Sequence, residues 1–317
     1  MSKRRLAMIL IIVCLYLMPC KVQAASTADA KEFISTDTLC TLGITYSSNG
    51  TSFSDLPIRL YKIAEVSSDF QYTLAPAYKA SNLIINGIRT VGEWDVIRST
   101  LETYIIANGI RPESVILTDE YGEAHFGSLL PGLYLAVTDR VVQNETTYTF
   151  ESALMALPNL NNAGFWQYSL EVTPKSRSTD PSEPDKVIEL DVIKLWKGDS
   201  DKNVRPQSIE VEIFRNGESY KTVELSKDNN WKYSWTAEDD GSVWKVFEQS
   251  APAGYTMTVD ERETSFIITN TFNYEEPDTP PSPPTGDTSN TLLYIILMNI
   301  SGITLIILGI RGKRKNV

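Results

Sequence analysis

Between Thr38 and Lys175 apolar residues recur mostly at every second position, in short runs separated by turn-forming residues. The clearest are LPIRLYKIAEV (Leu56–Val66), SVILTD (Ser114–Asp119), GLYLAVTD (Gly132–Asp139) and WQYSLEVTPK (Trp166–Lys175). Side chains alternate across a strand, so this period reads as a set of half-buried β-strands. Trp166, Tyr168, Leu170 and Val172 then share one strand face, as do Ile58, Leu60, Lys62 and Ala64, with the aliphatic stem of Lys62 packing while its ammonium reaches solvent. One stretch departs from the pattern. In VGEWDVIRSTLETYIIANG, Trp94, Ile97, Leu101, Tyr104 and Ile105 fall at helical spacing, and Gly109 is placed to end the helix.

Alternation resumes after STDPSEPD, a Pro-, Ser- and Asp-rich segment that reads as a linker over residues 177–185. In KVIELDVIKLW the face carrying Ile188, Leu190, Val192 and Trp196 also carries Lys194. In VWKVFEQ, Glu248 shares a face with Trp244 and Val246, and in SFIITNTF, Asn270 shares one with Phe266, Ile268 and Phe272. Residues 25–176 and 186–274 are thus two mostly-β modules. The segment after them, NYEEPDTPPSPPTGDTSN, is too polar and proline-rich to build a core and reads as an extended spacer over 275–290.

Three polar residues in inward registers need an explanation, because an unpaired buried ion costs on the order of several kcal/mol. One is a buried Lys194–Glu248 pair with Asn270 as a hydrogen-bond partner. The other is covalent: burial favours a neutral amine facing a neutral acid, Lys194 attacks the Asn270 side-chain amide, and Glu248 polarises its carbonyl and shuttles protons while ammonia leaves. The pattern alone leaves both open.

The chain ends change the picture more than its overall composition. Lys3, Arg4 and Arg5, the apolar run Leu6–Met18 and VQA at 22–24 have the layout of a secretory signal peptide over residues 1–24. Pro19 makes Cys20 a poor fit to a lipoprotein site. Residues 291–310 are uncharged and long enough to span a bilayer, and the basic tail 311–317 should stay in the cytoplasm. Without the four basic residues of 1–24, and without the four basic residues and Asp287 of 286–317, 21 Lys and Arg face 39 Asp and Glu, a net charge of −18. That balance excludes nucleic acid and anionic membrane surfaces as partners, leaving the C-terminal helix as the only expected membrane contact before processing. Only Cys40 remains in the exported part, so no disulfide is expected.

Chemistry elsewhere is sparse. His125 is the single histidine, which rules out a multi-histidine metal site, and it reads as a turn residue rather than a member of a triad. Glu238, Asp239 and Asp240 lack the alternation of a calcium loop and read as a solvated turn. The sequons at Asn49 and Asn144 are three-residue matches that carry little weight by themselves. No cofactor, metal site or enzyme constellation is expected.

The stretch VIKLWKGD through RPQSIEVEIFRNG, NNWKYSW, WKVFEQSAPAGY and FIITNTF resembles a collagen-adhesin B-type (Cna-B) repeat of Gram-positive pilins and adhesins. WKVFEQSAPAGY resembles the pilin E-box Y-x-L-x-E-T-x-A-P-x-G-Y, with Trp244 for the tyrosine and Gln249 for the threonine. GEAHFGSLLPGLYLAVT, Gly122–Thr138, resembles SpaA-type pilin domains, and WQYSLEVTPK resembles the pilin motif W-x-x-x-V-x-V-Y-P-K, with Leu170 for the first valine and Thr173 for the tyrosine. SPPTG, Ser282–Gly286, resembles an L-P-x-T-G sortase signal with serine for leucine.

The resemblance implies two tandem immunoglobulin-like or prealbumin-like β-sandwiches, the first with an inserted helix. It also implies a Lys194–Asn270 isopeptide bond with Glu248 as the catalytic proton shuttle, cleavage by a sortase between Thr285 and Gly286, and linkage of Thr285 to Lys175 of a neighbouring pilin subunit. The expectation is an adhesive pilus subunit at the surface of a Gram-positive bacterium. Its partners would be sortase, further subunits, peptidoglycan and host extracellular matrix. The alternative is a monomeric wall-anchored adhesin in which Lys175 is inert.

Overall fold

A computed structural model describes residues 33–180, 186–199 and 204–273. The expected signal peptide, spacer, membrane span and basic tail, with Thr285 and Gly286, lie outside the described residues. Among the described residues no helix is long and apolar enough to cross a membrane.

The first module contains β1 (Cys40–Thr45), β2 (Pro57–Val66), β3 (Tyr72–Leu74), α1 (Val91–Asn108), β4 (Ser114–Leu117), β5 (Glu123–Leu129), β6 (Gly132–Val137), β7 (Thr146–Phe150), β8 (Ala153–Leu157), β9 (Ser169–Val172) and β10 (Ser176–Thr179). A three-stranded sheet, β9-β1-β5, faces a five-stranded one, β8-β6-β2-β3 with β4 added on β2. Leu42, Ile44, Ile58, Leu60, Phe126 and Tyr134 fill the space between them. The outer face of the larger sheet is covered as well: Tyr61, Ile63, Leu133 and Leu135 pack against Ile97, Leu101, Tyr104 and Ile105 of α1. Burial on both faces overrides the alternation expected of GLYLAVTD: the first five residues of β6, Gly132–Ala136, are all buried.

The helix starts at a capping box, with Thr90 and Glu93 each accepting the other's backbone N–H, and ends at Gly109 in the left-handed conformation (φ 57°).

Three local expectations need correction. A register shift in β2 between Lys62 and Ala64 moves Ala64 to the helix side, so the two do not share a face. The stretch from Trp166 is two pieces. Trp166–Gln167 pairs with Asn159–Leu160 and packs with the helix layer, whereas β9 pairs in parallel with β1 and sends Tyr168, Leu170 and Val172 into the core between the sheets. His125 lies exposed within β5, not in a turn.

The second module is a sandwich of β11 (Val187–Lys197), β12 (Ser208–Arg215), β13 (Glu218–Ser226), β14 (Lys232–Glu238), β15 (Trp244–Glu248), β16 (Tyr255–Arg262) and β17 (Ser265–Phe272). The order β14-β11-β17-β16 forms one sheet and β13-β12-β15 the other. Val192, Val211, Ile213, Val246, Phe266 and Ile268 form the core.

Residues 177–185 are not all linker. Residues up to Thr179 belong to β10, paired antiparallel with β7, and β7 and β10 also meet the second module, since a Cβ on Gly241 would stand 2.6 Å from the Thr147 methyl. Both modules fall within one compact unit ending at Asn273.

Candidate functional site

The inward faces read from the alternation converge. Strands β11 and β17 are parallel neighbours in one sheet, with Trp196 opposite Asn270 and Lys194 opposite Ile268, so Lys194 and Asn270 reach the same side of the sheet two residues apart in register. Strand β15 brings Glu248 from the opposing sheet. The side chains of Lys194 and Glu248 are 0% exposed, and Asn270 is fully buried.

Glu248 spans the other two. Its Oε2 stands 3.0 Å from Lys194 Nζ, and its Oε1 accepts a 2.9 Å hydrogen bond from Asn270 Nδ2. The Lys194 contact is close but lies outside hydrogen-bond geometry. Nζ, Oε2 and Asn270 Oδ1 therefore count among the buried polar atoms without a hydrogen-bond partner among the described residues. Burial pushes the Lys194 amine down to about 8, against the opposing pull of Glu248. The carboxyl group faces the amide nitrogen, the group that would leave, rather than the carbonyl that the sequence argument had it polarise.

Aromatic rings wall this site. Lys194 Nζ stands 4.6 Å from the Trp196 ring centroid, and Trp231 and Tyr255 meet that ring edge-on at 5.3 and 5.2 Å. The buried Asp199 carboxylate ties the outer rim together, pairing with Arg205 through two 2.6 Å contacts and accepting 2.7 Å from the Tyr255 hydroxyl. Arg205 in turn stacks over the outer face of Trp196, 5.8 Å from the ring centroid. Such a wall keeps water from the amine, the condition that favours its neutral form.

Lys175 is placed differently. Pro174 is buried and Lys175 stands at a corner between β9 and β10. Its side chain is 84% exposed, with Nζ 3.7 Å from Glu151 Oε2, and its carbonyl accepts the Glu151 N–H at 2.9 Å. Lys62 is half-buried. Asp239 and Asp240, expected to be solvated, are ion-paired with Lys186 at 3.1 Å and Arg215 at 2.7 Å. Cys40 is buried and its thiol is pushed up to about 11 by that burial. Among the described residues no cluster of three or more His, Cys, Asp or Glu side chains is arranged to hold a metal ion.

A second buried charge cluster was missed by sequence reasoning. Lys245, on the face of β15 opposite Glu248, is 5% exposed. It contacts Glu261 of β16 at 2.6 Å and Glu102 of α1 at 3.2 Å. Glu102 also accepts 2.8 Å from Ser152 and lies 3.8 Å from Arg98. Burial works against the Lys245 charge, but the two carboxylates outweigh it and raise its pKa. A trace existed in the sequence: away from its apolar stripe α1 carries Ser99, Thr100 and Thr103, small neutral residues where a solvent face would carry Lys and Glu.

Residues 190–271 match the model of the Cna protein B-type domain, so the second module contains such a domain. Over 97 residues the chain is 31% identical to the collagen adhesin of Staphylococcus aureus, an alignment covering 28% of this chain and 8% of that much longer protein. Among solved structures, the single B repeat unit of the same collagen-binding protein aligns at 16% identity and TM-score 0.26, covering 75% of this chain and 99% of the repeat. The shaft pilin SpaA of Lactobacillus rhamnosus GG aligns at 12% identity and TM-score 0.26, covering 76% of this chain and all of that one. At such scores the structural likeness carries no functional argument.

Proposed function

We propose that this chain is a structural subunit of a sortase-assembled pilus on a Gram-positive surface, with its Cna B-type module locked by a Lys194–Asn270 isopeptide bond. The observation that carries the reading is Glu248, one carboxyl group set between an amine and a primary amide in a dry core. In the reaction, the neutral Lys194 amine attacks Asn270 Cγ. The new Cγ–Nζ bond forms, the Cγ–Nδ2 bond breaks, and Glu248 passes the proton given up by Nζ to Nδ2, which leaves as ammonia. The step needs no cofactor and happens once per chain.

The bond would join the first and last strands of the module, which already lie side by side in parallel. Tension along the chain would then pass through covalent structure instead of shearing the hydrogen bonds of that pair. Lys175, exposed at the corner between β9 and β10, suits attack on an acyl-enzyme formed at Thr285 of another subunit, and adhesion to a host surface would follow from the polymer. The match to a collagen adhesin favours a second reading, a monomeric wall-anchored adhesin with Thr285 joined to peptidoglycan.

Mass spectrometry of wall-released protein separates these readings. The expected result is a loss of about 17 Da with Lys194 and Asn270 peptides joined, and Lys175–Thr285 peptides joined in a high-mass ladder. Lys175 free in every species, with Thr285 only on wall peptide, overturns polymerisation in favour of the adhesin. An unmodified mass overturns the isopeptide bond.

A further inference from the structure

The strand that aims Glu248 is weakly supported by its own module. Strand β15 is five residues long and lies at the edge of its sheet, where β12 is its one strand partner among the described residues. Its support from the other side comes from the first module. Lys245 and Phe247 alternate with Trp244, Val246 and Glu248, so they point away from the core, and both are covered by α1. The Phe247 ring stands 6.1 Å from that of Tyr104 and packs against the hydrophobic clusters of both modules. Lys245 bridges Glu261 of its own module and Glu102 of the helix.

The same helix closes the edge of the other sheet. Strand β16 is an edge strand, and its Val259 N–H donates 2.8 Å to the Thr100 hydroxyl. A helix pinned to both β15 and β16 restricts how far the Glu248 strand can move relative to the sheet that carries Lys194 and Asn270.

We propose that Lys245 is a positioning residue for isopeptide formation: through Glu102 it docks the first module onto β15 and holds Glu248 in line with Lys194 and Asn270, so the bond forms fast only in a chain whose first module is folded and docked. This rests on the isopeptide reading. It gives the reaction an order, in which the B-type module is sealed after the module before it has folded. The effect should be large at Glu102: its side chain is buried, and without Lys245 the cation left to it is Arg98 at 3.8 Å, whereas Glu261 is partly exposed.

The test follows the mass of the exported chain, residues 25–285, recovered unfolded from inclusion bodies and checked to have the unreacted mass, after dilution from denaturant. Wild type, Lys245→Met, Lys245→Arg and Glu102→Gln are compared, with tryptophan fluorescence reporting folding in parallel. The inference expects the loss of about 17 Da to slow by about tenfold or more in Lys245→Met and Glu102→Gln while fluorescence still reaches its native value. Lys245→Arg, which keeps both ion pairs, should return to within about threefold of wild type. If Lys245→Met does not fold, Glu102→Gln decides the matter, because it keeps the Lys245–Glu261 pair. Wild-type rates in Glu102→Gln, or a Lys245→Arg rate as slow as that of a Lys245→Met chain that folds, overturn the proposal. Absence of the mass loss in wild type instead overturns the isopeptide reading itself.

Discussion

The hydroxyl of Thr100, in the helix of the first module, accepts the backbone N–H of Val259, in an edge strand of the second, at 2.8 Å in a buried setting. Unpaired strand edges invite association with other chains. Here a side chain from the preceding module takes that place, and Asn82 adds a further bond by accepting from the Thr256 hydroxyl at 3.2 Å. The two modules therefore share an interface that satisfies backbone groups as well as charges.

Replacing Thr100 by the isosteric valine tests that interface. The Val259 N–H would be left buried without an acceptor, and stability should fall by about 1–3 kcal/mol. Urea unfolding followed by circular dichroism reads the change. An unchanged midpoint would mean that the edge is not closed by the helix in solution.

Lys194→Met removes the nucleophile but keeps an apolar stem in its place. The chain should fold, show no loss of ammonia, and lose the loop constraint between residues 194 and 270, worth about 4 kcal/mol in the chain-entropy view of a cross-link. Calorimetry on both forms measures it, and equal melting temperatures would argue that the parent carries no bond.

The rate of bond formation should depend on pH with a sign set by Lys194. Its pKa is pushed down to about 8, mainly by burial. The reacting form is the free amine, so the rate should rise about tenfold per pH unit below that value and level off above it. A time course of intact mass between pH 6 and 9 shows this. A rate independent of pH across that range would remove the neutral-amine mechanism.

Lys175→Arg keeps the charge near Glu151 but supplies no nucleophilic amine. The polymer ladder should vanish from wall extracts. Stability should change by less than about 0.5 kcal/mol, because the side chain is 84% exposed. A ladder that survives would assign the linkage to another lysine.

The site itself was legible in the sequence. A strict period of two fixes which residues of a strand share a face, and β11, β15 and β17 follow it without interruption. Lys194, Glu248 and Asn270 could therefore be placed inside before any coordinates. The helix was equally readable, since its stripe, capping box and terminal glycine are all local signals.

What local signals could not supply was the second partner of each surface. Ala64 changes side because of a one-residue register shift, which depends on how β2 pairs with β6 rather than on its own pattern. Arg177–Thr179 read as the start of a linker because its residues are polar, yet β7 gives it a ladder. Lys245 and Glu102 lie on different modules, and the docking of α1 against β15 brings them together at 3.2 Å. The sequence by itself determined which faces turn inward, because alternation is a property of a single strand. The tertiary structure alone decided which outward faces are covered, because burial there depends on residues from other elements, from about thirty to well over a hundred positions away.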